Sequence, residues 1–504
     1  MTKKFHIVYL YLCSLALFSC QQEKIEKPNI LILYADDLGF GDIAINGARG
    51  VATPNIDELA KNGINFTDAH CTAATCTPSR YSLLTGQYAF RNNANILAGD
   101  AGMIIDPKKE TLPKMLQRAG YKTGVVGKWH LGLGEGNVDW NRRIAPGPNE
   151  IGFDYSYIIP ATGDRVPCVF VENGSVVNLS PEDPLFVSYE NDLGDYPNGR
   201  NDEELLKIRP SGGHNNSIIN GISRIGFMKG GHEALWDDEK IPDELTEKAK
   251  QFIHNSKENP FFLYLAYHDI HVPRIPASQF KNKSTMGARG DVIAQLDWYV
   301  GELIDFLKKE NLYSNTLIIF SSDNGPILDD GYIDGAEKLV DNHKPAGMFS
   351  GGKYSMYEGG TRVPTIVSWP KRIEKGLVSQ ALLSQVDLLT SLANLVGQPV
   401  VNKNDLDSEN YILSWLGESE KGRDVLLEEG FSLAIRKLDW KYIAPYEYDK
   451  PDWLKLKNID DGLEKNAQLY HLSSDVAEKT NMAHLQPEIV KDFQFILDEI
   501  ITKK

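Results

Sequence analysis

Two pairs of oxygen-bearing side chains stand at the ends of apolar segments of this chain. They are Asp36 with Asp37, and Asp323 with Asn324. Neither pair brings a thiolate or an imidazole, and such hard oxygen ligands suit Ca²⁺, or less well Mg²⁺, rather than zinc. Each pair alone has a structural explanation, since Asp-Asp can cap a helix and Asp-Asn-Gly is a common turn. Together they predict a site for one divalent cation.

Two other apolar segments end in lysine and histidine side chains. Lys128 and His130 follow one of them, and His268 and His271 follow the other. Ligands of open α/β sheets bind beyond the carboxyl ends of the strands, so we expect all four polar clusters to meet at one site. Trp129 is interpreted as a packing residue. For His268, a buried and hydrogen-bonded position explains the residue as well as contact with a ligand does.

The hydrophobic pattern predicts a large α/β fold. Apolar runs rich in β-branched and aromatic residues predict buried strands at 30–34, 123–126, 261–267, 317–320 and 365–369. Periodic segments predict helices at 55–62, 111–119, 243–255, 291–310 and 386–396. This alternation predicts a mostly parallel sheet, sandwiched by helices. Residues 135–240 are rich in Gly, Pro, Asn and Asp, and predict long loops over one end of the sheet.

Beyond residue 400 the pattern changes. Residues 433–443 alternate as a strand, residues 468–472 form another, and a helix is expected over 487–501. We therefore predict a small C-terminal subdomain over 401–504, with an antiparallel sheet and one helix, packed on a catalytic domain over 28–400. Residues 1–19 are assigned to a signal segment.

The composition limits the choice of partners. With 504 residues, 42% of them hydrophobic, the chain can bury a large core. Its formal net charge is −16, its pI is near 5.2, and no dense run of Lys and Arg is present. Because nucleic-acid binding needs a basic face, we expect no nucleic-acid partner. Small anions are not excluded, since a few converging cations can bind them.

The first twenty residues are typical of an export signal. Lys3 and Lys4 precede the apolar residues 7–18, a run too short to span a bilayer comfortably. The segment ending at Cys20 resembles a bacterial lipobox, in which Cys20 is the lipidated first residue. Phe18 replaces the usual small residue, so cleavage without lipidation and a simple membrane anchor both stay open. We expect an exported bacterial lipoprotein, in the periplasm or at the outer-membrane surface, that contacts the membrane through a lipid anchor only.

The cysteines are five, at positions 13, 20, 71, 76 and 168. Cys76 begins the segment Cys-Thr-Pro-Ser-Arg, which is followed by Leu-Thr-Gly at 84–86. The residues alone leave three interpretations of Cys76 open: a buried thiol, a disulfide partner of Cys71, or a residue with a chemical role. Cys71 and Cys168 could pair or stay free, because spacing does not decide connectivity.

The segment at Cys76 resembles the maturation signature of the sulfatases in the alkaline-phosphatase superfamily. Further segments resemble the remaining motifs of that family in the same order: 28–39, 127–132, 268–273, 352–364 and 469–481. The resemblance extends over nearly all of the mature chain. It implies the alkaline-phosphatase-like α/β fold and the hydrolysis of sulfate esters.

The resemblance also implies a role for each matched residue. A maturation enzyme would oxidise Cys76 to formylglycine before export and folding, and the hydrated aldehyde would be the nucleophile. The ligands of a calcium ion would be Asp36, Asp37, Cys76, Asp323 and Asn324. The catalytic residues would be Cys76, Arg80, Lys128, His130, His271 and Lys353.

Within that set, Arg80 would orient position 76. Lys128, His271 and Lys353 would bind the sulfate group. His130 would remove the proton whose loss expels sulfate, and His271 would protonate the leaving oxygen.

The implied substrate is a sulfated carbohydrate, with sulfated galactose or N-acetylgalactosamine at a chain end as the leading expectation. Arg165, His214, Arg224 and His232 lie in the long loops, where most such residues are solvated and some touch sugar. One alternative is a phosphomonoester or phosphodiester hydrolase of the same superfamily, although these usually carry Thr or Ser in place of Cys76. Another is a non-catalytic, surface-anchored glycan-binding lipoprotein, against which the complete set of expected residues argues.

Overall fold

The middle of the protein is a sheet of apolar strands. The computed structural model describes residues 27–503 and has ten strands in this sheet. In chain order they are β1 (Asn29–Ala35), β2 (Ile64–Phe66), β3 (Lys122–Lys128), β4 (Tyr155–Ile159), β5 (Val171–Glu172), β6 (Ser175–Val176), β7 (Phe261–Ala266), β8 (Thr316–Ser322), β9 (Thr365–Ser368) and β10 (Leu377–Ser379). All seven residues of β1 are buried, as expected for a strand covered on both faces. The five predicted strands are confirmed.

The strands lie across the sheet in the order β10-β2-β9-β8-β1-β7-β3-β4-β5-β6. The five from β8 to β4 are parallel, with Ile32 of β1 paired to Tyr264 and to Ile319. β9 is antiparallel to β8, and β5 is antiparallel to β4. The prediction of a mostly parallel sheet is confirmed, and the sheet is mixed toward both edges.

Seven helices of seven residues or more lie within residues 27–503. They are α1 (Pro54–Lys61), α2 (Cys76–Thr85), α3 (Leu112–Arg118), α4 (Ile241–Ser256), α5 (Gly287–Lys309), α6 (Leu388–Val396) and α7 (Pro487–Thr502); shorter ones lie at Ala336–Leu339, Glu358–Thr361, Ile412–Trp415 and Asp452–Lys455. The predicted helices are confirmed to within a few residues. α2 was not predicted, because all ten of its residues are buried and its polar and apolar residues are not separated onto opposite faces, so the sequence shows no helical period.

A small antiparallel sheet follows the large one. It consists of β11 (Leu426–Glu429), β12 (Leu433–Lys437), β13 (Trp440–Ile443) and β14 (Gln468–His471), and α7 packs on it through Phe493 against Tyr442. The prediction of one strand over 433–443 was wrong. The chain turns at Leu438, whose φ is +54° and whose side chain is 82% exposed, and the apolar alternation continues through the turn.

Buried ion pairs hold the small sheet against the large one. Arg436 of β12 lies 2.7 Å from Asp68 and 3.1 Å from Glu358, and Lys441 of β13 lies 3.2 Å from Glu358. Lys441 also lies 3.0 Å from Glu428 of β11, within the small sheet. Because all of these side chains are largely withdrawn from water, the pairs fix the two sheets in one relative position. The boundary at residue 400 stays a prediction.

The prediction of long loops over residues 135–240 was wrong for 155–159, 171–172 and 175–176, which form β4, β5 and β6 of the large sheet. The rest of this segment contains short strand pairs, such as Phe186–Ser188 with Phe227–Lys229. Cys71, Cys76 and Cys168 are buried free thiols, so the described residues contain no disulfide. No helix within residues 27–503 is long and apolar enough to cross a membrane. The signal segment, Cys13 and the lipidation site at Cys20 lie outside the described residues.

Candidate active site

Four polar clusters meet at one edge of the large sheet. They follow β8, β1, β7 and β3, which are adjacent and parallel, so the carboxyl ends of these strands lie side by side. Lys128 Nζ is 2.5 Å from Asp36 Oδ2, and His271 Nε2 is 3.9 Å from Asp37 Oδ2. The expected convergence is therefore present in the structure.

The oxygen-bearing residues form a buried cluster with unused acceptors. Asn324 Nδ2 donates to Asp37 Oδ1 at 2.7 Å, which leaves Asn324 Oδ1 free. Asn324 Oδ1 and Asp36 Oδ1 are both buried and have no hydrogen-bond partner. Buried oxygens without donors are costly unless a cation or water satisfies them. Oxygen-only donors of this kind fit a calcium ion, with Asp37 and Asp323 beside them.

The carboxylates of this cluster differ in their proton affinity. Burial raises the pKa of Asp36, and the neighbouring Asp323 raises it further. Burial also raises the pKa of Asp37. Burial opposes the ionisation of Asp323, but the charges of Arg80 and Lys128 outweigh it and hold its pKa below the usual range. The three carboxylates thus lie close together in a buried site, each against a cation: Asp36 against Lys128, Asp37 against Lys353 and Asp323 against Arg80.

Cys76 is the first residue of α2, at the end where backbone N–H groups are free and the helix dipole favours anions. It is 3% exposed, and its Sγ lies 3.2 Å from His130 Nδ1. Thr77 Oγ1 donates to the carbonyl of His130 at 3.0 Å and so holds the two segments together.

The tautomer of His130 is set by its second ring nitrogen. Nε2 lies 2.9 Å from the carbonyl oxygen of Leu97, which can only accept, so Nε2 carries the proton. In the neutral ring, Nδ1 then presents a lone pair to position 76. Burial and the charge of Lys128 lower the pKa of His130, which favours the neutral ring. His130 is thereby placed to accept a proton from residue 76.

Arg80 lies one helical turn after Cys76 and is fully buried. Its Nε and one terminal nitrogen contact Asp323 Oδ2 at 2.9 and 2.8 Å, and its other terminal nitrogen donates to the carbonyl of Lys128 at 3.0 Å. The planar guanidinium therefore joins α2 to the ends of β8 and β3. This fixes the N-terminus of α2, and with it position 76, relative to the oxygen cluster.

Lys353 reaches the same site from a loop before the Glu358–Thr361 helix. Its Nζ lies 2.9 Å from Asp37 Oδ1 and 2.8 Å from Asp330 Oδ2. Burial opposes its charge, but Asp330 and Asp37 raise its pKa well above the usual value. Lys353 therefore stays cationic beside Cys76.

His271 also has a fixed ring orientation. Its Nδ1 lies 2.7 Å from the carbonyl oxygen of Val272, so Nδ1 carries the proton and Nε2 faces the oxygen cluster. Burial, together with Lys353 and Lys128, lowers its pKa. Donation of a proton from Nε2 thus requires a protonated ring. His268 is 6% exposed and its ring lies 5.7 Å from that of His271. Its Nε2 is buried without a partner, so the hydrogen bond expected of a packed core histidine is missing at that atom.

A cavity of about 710 Å³ opens above these residues. Cys76, His271 and Lys353 line its base. Asp164, Arg165 and His214 line its wall, where Arg165 lies 3.0 Å and His214 lies 2.8 Å from the carboxylate of Asp164. The C-terminal part of the chain contributes Phe431, Trp453, Leu456 and Lys457.

Two of the four loop residues considered from sequence do not line this cavity. Arg224 is buried in an ion pair with Asp238, and His232 pairs with Asp183 at the surface. Trp129 is 1% exposed and donates to the carbonyl of Gly132, as expected for a packing residue.

The family model described as "Sulfatase" matches residues 28–398. The chain belongs to the sulfatase family. This sulfatase is 50% identical over 483 residues to "N-acetylgalactosamine-6-O-sulfatase" of Bacteroides thetaiotaomicron, which covers 95% of this chain and 94% of that protein. It is 31% identical over 421 residues to human "Arylsulfatase H", which covers 76% of this chain and 71% of that protein.

Solved structures agree with this assignment. A structure described as "Metabolism of multiple glycosaminoglycans by bacteroides thetaiotaomicron is orchestrated by a versatile core genetic locus" has a TM-score of 0.92 at 49% identity, and the match covers 94% of this chain and 99% of the other. The expected family, fold and enzyme class are confirmed, and this sulfatase is a sulfuric ester hydrolase.

Sequence reasoning missed several residues of the sulfatase cavity. Asp164 precedes Arg165, which was considered as a possible sugar contact. A single Asp in a Gly- and Asp-rich loop, however, belongs to no motif that would mark it as functional. Asp330 lies seven residues after Asp323 and pairs with Lys353, and no spacing rule identifies it. Trp453 and Lys457 belong to the C-terminal part and reach the cavity only through the packing of the two sheets.

Proposed function

We propose that this sulfatase removes 6-O-sulfate from N-acetylgalactosamine, or from galactose, at the end of a carbohydrate chain. The observation that carries the proposal is the position of Asp164, Arg165 and His214 in the wall of the cavity that has Cys76 at its base. A carboxylate, a guanidinium and an imidazole side by side can both donate to and accept from vicinal hydroxyl groups. The 50% identity to an N-acetylgalactosamine-6-O-sulfatase supports the same sugar.

The polar wall favours a sugar over an aryl or steroid group. A planar apolar group offers no hydrogen-bond partner to Asp164, Arg165 and His214, which pair with one another in the wall, and covering such polar groups without replacing their contacts with water is costly. A primary 6-sulfate projects from the sugar ring, so the ester can reach position 76 while the ring hydroxyls stay beside Asp164. Chain-end action is part of the proposal.

The proposal includes oxidation of Cys76 to formylglycine and a calcium ion on Asp36, Asp37, Asp323 and Asn324. Family membership and the unpartnered oxygens of Asp36 and Asn324 support these two assignments. When bound there, calcium withdraws charge from the sulfate oxygens. The modified residue supplies a hydroxyl nucleophile that an unmodified thiol lacks.

The remaining steps belong to the side chains of the chain itself. Lys128 and Lys353 hold sulfate oxygens where negative charge develops. His130 accepts a proton from residue 76 through its Nδ1 lone pair, and Arg80 keeps that residue in position. His271 donates from Nε2 to the leaving sugar oxygen, which is too basic to depart unaided. Because burial, Lys353 and Lys128 lower the pKa of His271 in the free site, this step requires the negative charge of the bound sulfate ester to favour the protonated ring.

A substrate panel tests this proposal. Protein produced with a formylglycine-generating enzyme and calcium is assayed on the 6-sulfates of N-acetylgalactosamine and galactose, on N-acetylgalactosamine 4-sulfate, and on nitrophenyl sulfate and nitrophenyl phosphate. We expect the highest kcat/KM on the two 6-sulfates. Turnover of aryl sulfate without any sulfated sugar contradicts the proposal, and preferential turnover of the phosphate would favour the phosphoesterase alternative.

We also propose that the protein is exported and lipidated at Cys20. The sequence of residues 1–20 is the support for this. Incorporation of labelled fatty acid into the wild type but not into Cys20→Ala is the expected result, and equal labelling of both contradicts it.

A further inference from the structure

A cluster of aromatic side chains forms the outer part of the cavity wall. The aromatic wall, as we call the rings of Tyr354, Phe431 and Trp453 together with the aliphatic Leu456 of the same cavity, lies beyond the polar base. The ring of Trp453 is 5.1 Å from that of Tyr354 and 5.8 Å from that of Phe431. Trp453 is nevertheless 42% exposed and Leu456 is 84% exposed. Large apolar side chains that stay exposed beside a catalytic cavity mark a binding surface.

This wall is continuous with the site of the reaction. The same cavity, of about 710 Å³, is lined by Cys76, which is 3% exposed, and by Trp453, which is 42% exposed. Cavities of roughly 300–1,000 Å³ hold drug-sized ligands, and a single sugar ring is about half the size of such a ligand. The proposed sulfated sugar, seated between position 76 and Asp164, therefore leaves the part of the cavity at the aromatic wall for another group.

The charged side chains near the aromatic wall are already paired, so the surface that it offers to a ligand is mainly apolar. Lys457 and Lys353 both pair with Asp330, and Lys353 also pairs with Asp37, so the cations nearest to Trp453 already have carboxylate partners. Lys457 also lies 6.0 Å from the centre of the Trp453 ring and 5.7 Å from that of Tyr354. A partner of this surface is thus recognised by its apolar faces, with little contribution from a negative charge.

The wall is held in place before any ligand binds. Trp453 lies on the short helix Asp452–Lys455, and the ion pair of Lys450 with Asp461 (2.8 Å) closes the loop that carries it. The buried pairs of Arg436 and Lys441 described above fix the small sheet that carries Phe431. Because the rings are already ordered, binding costs little further side-chain entropy.

We propose that the aromatic wall binds the sugar to which the sulfated sugar is attached, with a face of that second pyranose ring against Trp453. The inference rests on the proposed function, because it assigns the next unit of the same carbohydrate substrate. A pyranose ring presents C–H groups on its faces and hydroxyls at its edge, and aromatic side chains favour such an apolar face. The sulfatase would accordingly prefer a sulfated sugar in a chain over the free sulfated monosaccharide.

Steady-state kinetics test this on the calcium-loaded, matured enzyme. The substrates are N-acetylgalactosamine 6-sulfate and the same sugar linked to an uncharged second sugar. Contacts with one aromatic ring are worth about 0.5–1.5 kcal/mol, which is roughly a 3- to 10-fold change in KM. We expect the wild type to have a KM lower by that factor for the disaccharide, and Trp453→Ala to lose most of the difference while its KM for the monosaccharide changes by less than about twofold.

Trp298→Ala is the matched control. Trp298 is a similarly exposed tryptophan, at 39%, on α5 and away from the cavity, so both KM values should stay at the wild-type level. Leu456→Ala should show a smaller loss that is also confined to the disaccharide. Equal losses of Trp453→Ala on both substrates, or no loss on the disaccharide, overturn the inference while the proposed function stands. If the wild type hydrolyses neither sulfated sugar, the proposed function and the inference fail together.

Discussion

Replacing Asp164 by asparagine removes one charge from the cavity wall and leaves its shape intact. In the wild type, Asp164 accepts hydrogen bonds from Thr162, from Arg165 at 3.0 Å and from His214 at 2.8 Å. Burial opposes its ionisation, but the charge of Arg165 and the hydrogen bond from His214 hold its pKa well below the usual range. The side chain is therefore a carboxylate at every pH suited to assay.

The size of the effect follows from the kind of hydrogen bond that is lost. A hydrogen bond to a charged group contributes about 1.5–3 kcal/mol, so losing one to a sugar hydroxyl lowers kcat/KM roughly 10- to 100-fold. The amide introduced by Asp164→Asn also turns an N–H donor toward Arg165 or His214. The wall then no longer has the two acceptor oxygens of the carboxylate. Nitrophenyl sulfate has no sugar hydroxyl, and its hydrolysis should change by less than about twofold.

The assay compares kcat/KM of Asp164→Asn on N-acetylgalactosamine 6-sulfate and on nitrophenyl sulfate. Asp183→Asn is the matched control, because Asp183 also pairs with a histidine, His232 at 3.0 Å, but at the surface outside the cavity. It should match the wild type on both substrates. Equal losses of kcat/KM by Asp164→Asn on both substrates would mean that Asp164 only supports the catalytic residues at the bottom of the cavity. Unchanged hydrolysis of the sugar sulfate would refute contact of Asp164 with the sugar.

Three further predictions concern the cation, the leaving group and the fold. Chelation should abolish activity, and Asp323→Ala should lower the bound divalent metal measured by elemental analysis; full activity in metal-free protein contradicts the site. His271→Ala should reduce hydrolysis of the sugar sulfate about 10²–10⁴-fold more than that of nitrophenyl sulfate, whereas Lys353→Ala should impair both alike; equal losses for His271→Ala limit it to sulfate binding. Lys441→Met should lower the free energy of unfolding by up to about 3–5 kcal/mol in denaturant titration, since it removes the buried cation that pairs with both Glu358 and Glu428, while Lys308→Met at an exposed pair should change nothing measurable; an equal, small change in both would show that the buried pairs do not hold the small sheet.

The sequence predicted the parts of the fold whose pattern repeats. The strands around residues 30–34, 261–267 and 317–320 are continuous apolar runs, because both faces of the sheet are covered. The polar residues after those runs could be expected to converge, since parallel neighbours end at the same edge. Helix α2 escaped detection because it is buried all round, and the turn at Leu438 escaped because an exposed leucine occupies a position where polar residues are usual.

The recognition surface could not be predicted in the same way. Asp164, Asp330 and Trp453 are far apart in sequence and stand in loops or in the C-terminal part, where no period or motif identifies them. They line one cavity because the loops of residues 135–240 and the small sheet are packed over the strand ends. The roles of residues 76, 130 and 271 rest on the family resemblance, to which the structure adds contacts and ring orientations.

The state of residue 76 tests the central claim most directly. Mass spectrometry of the peptide that contains Cys76, measured on active enzyme, should show an aldehyde in place of the thiol, in a fraction that rises with specific activity across preparations. Cys76→Ala should be folded and inactive. Full activity on sulfated sugar in protein that carries only the thiol at position 76 would contradict the account.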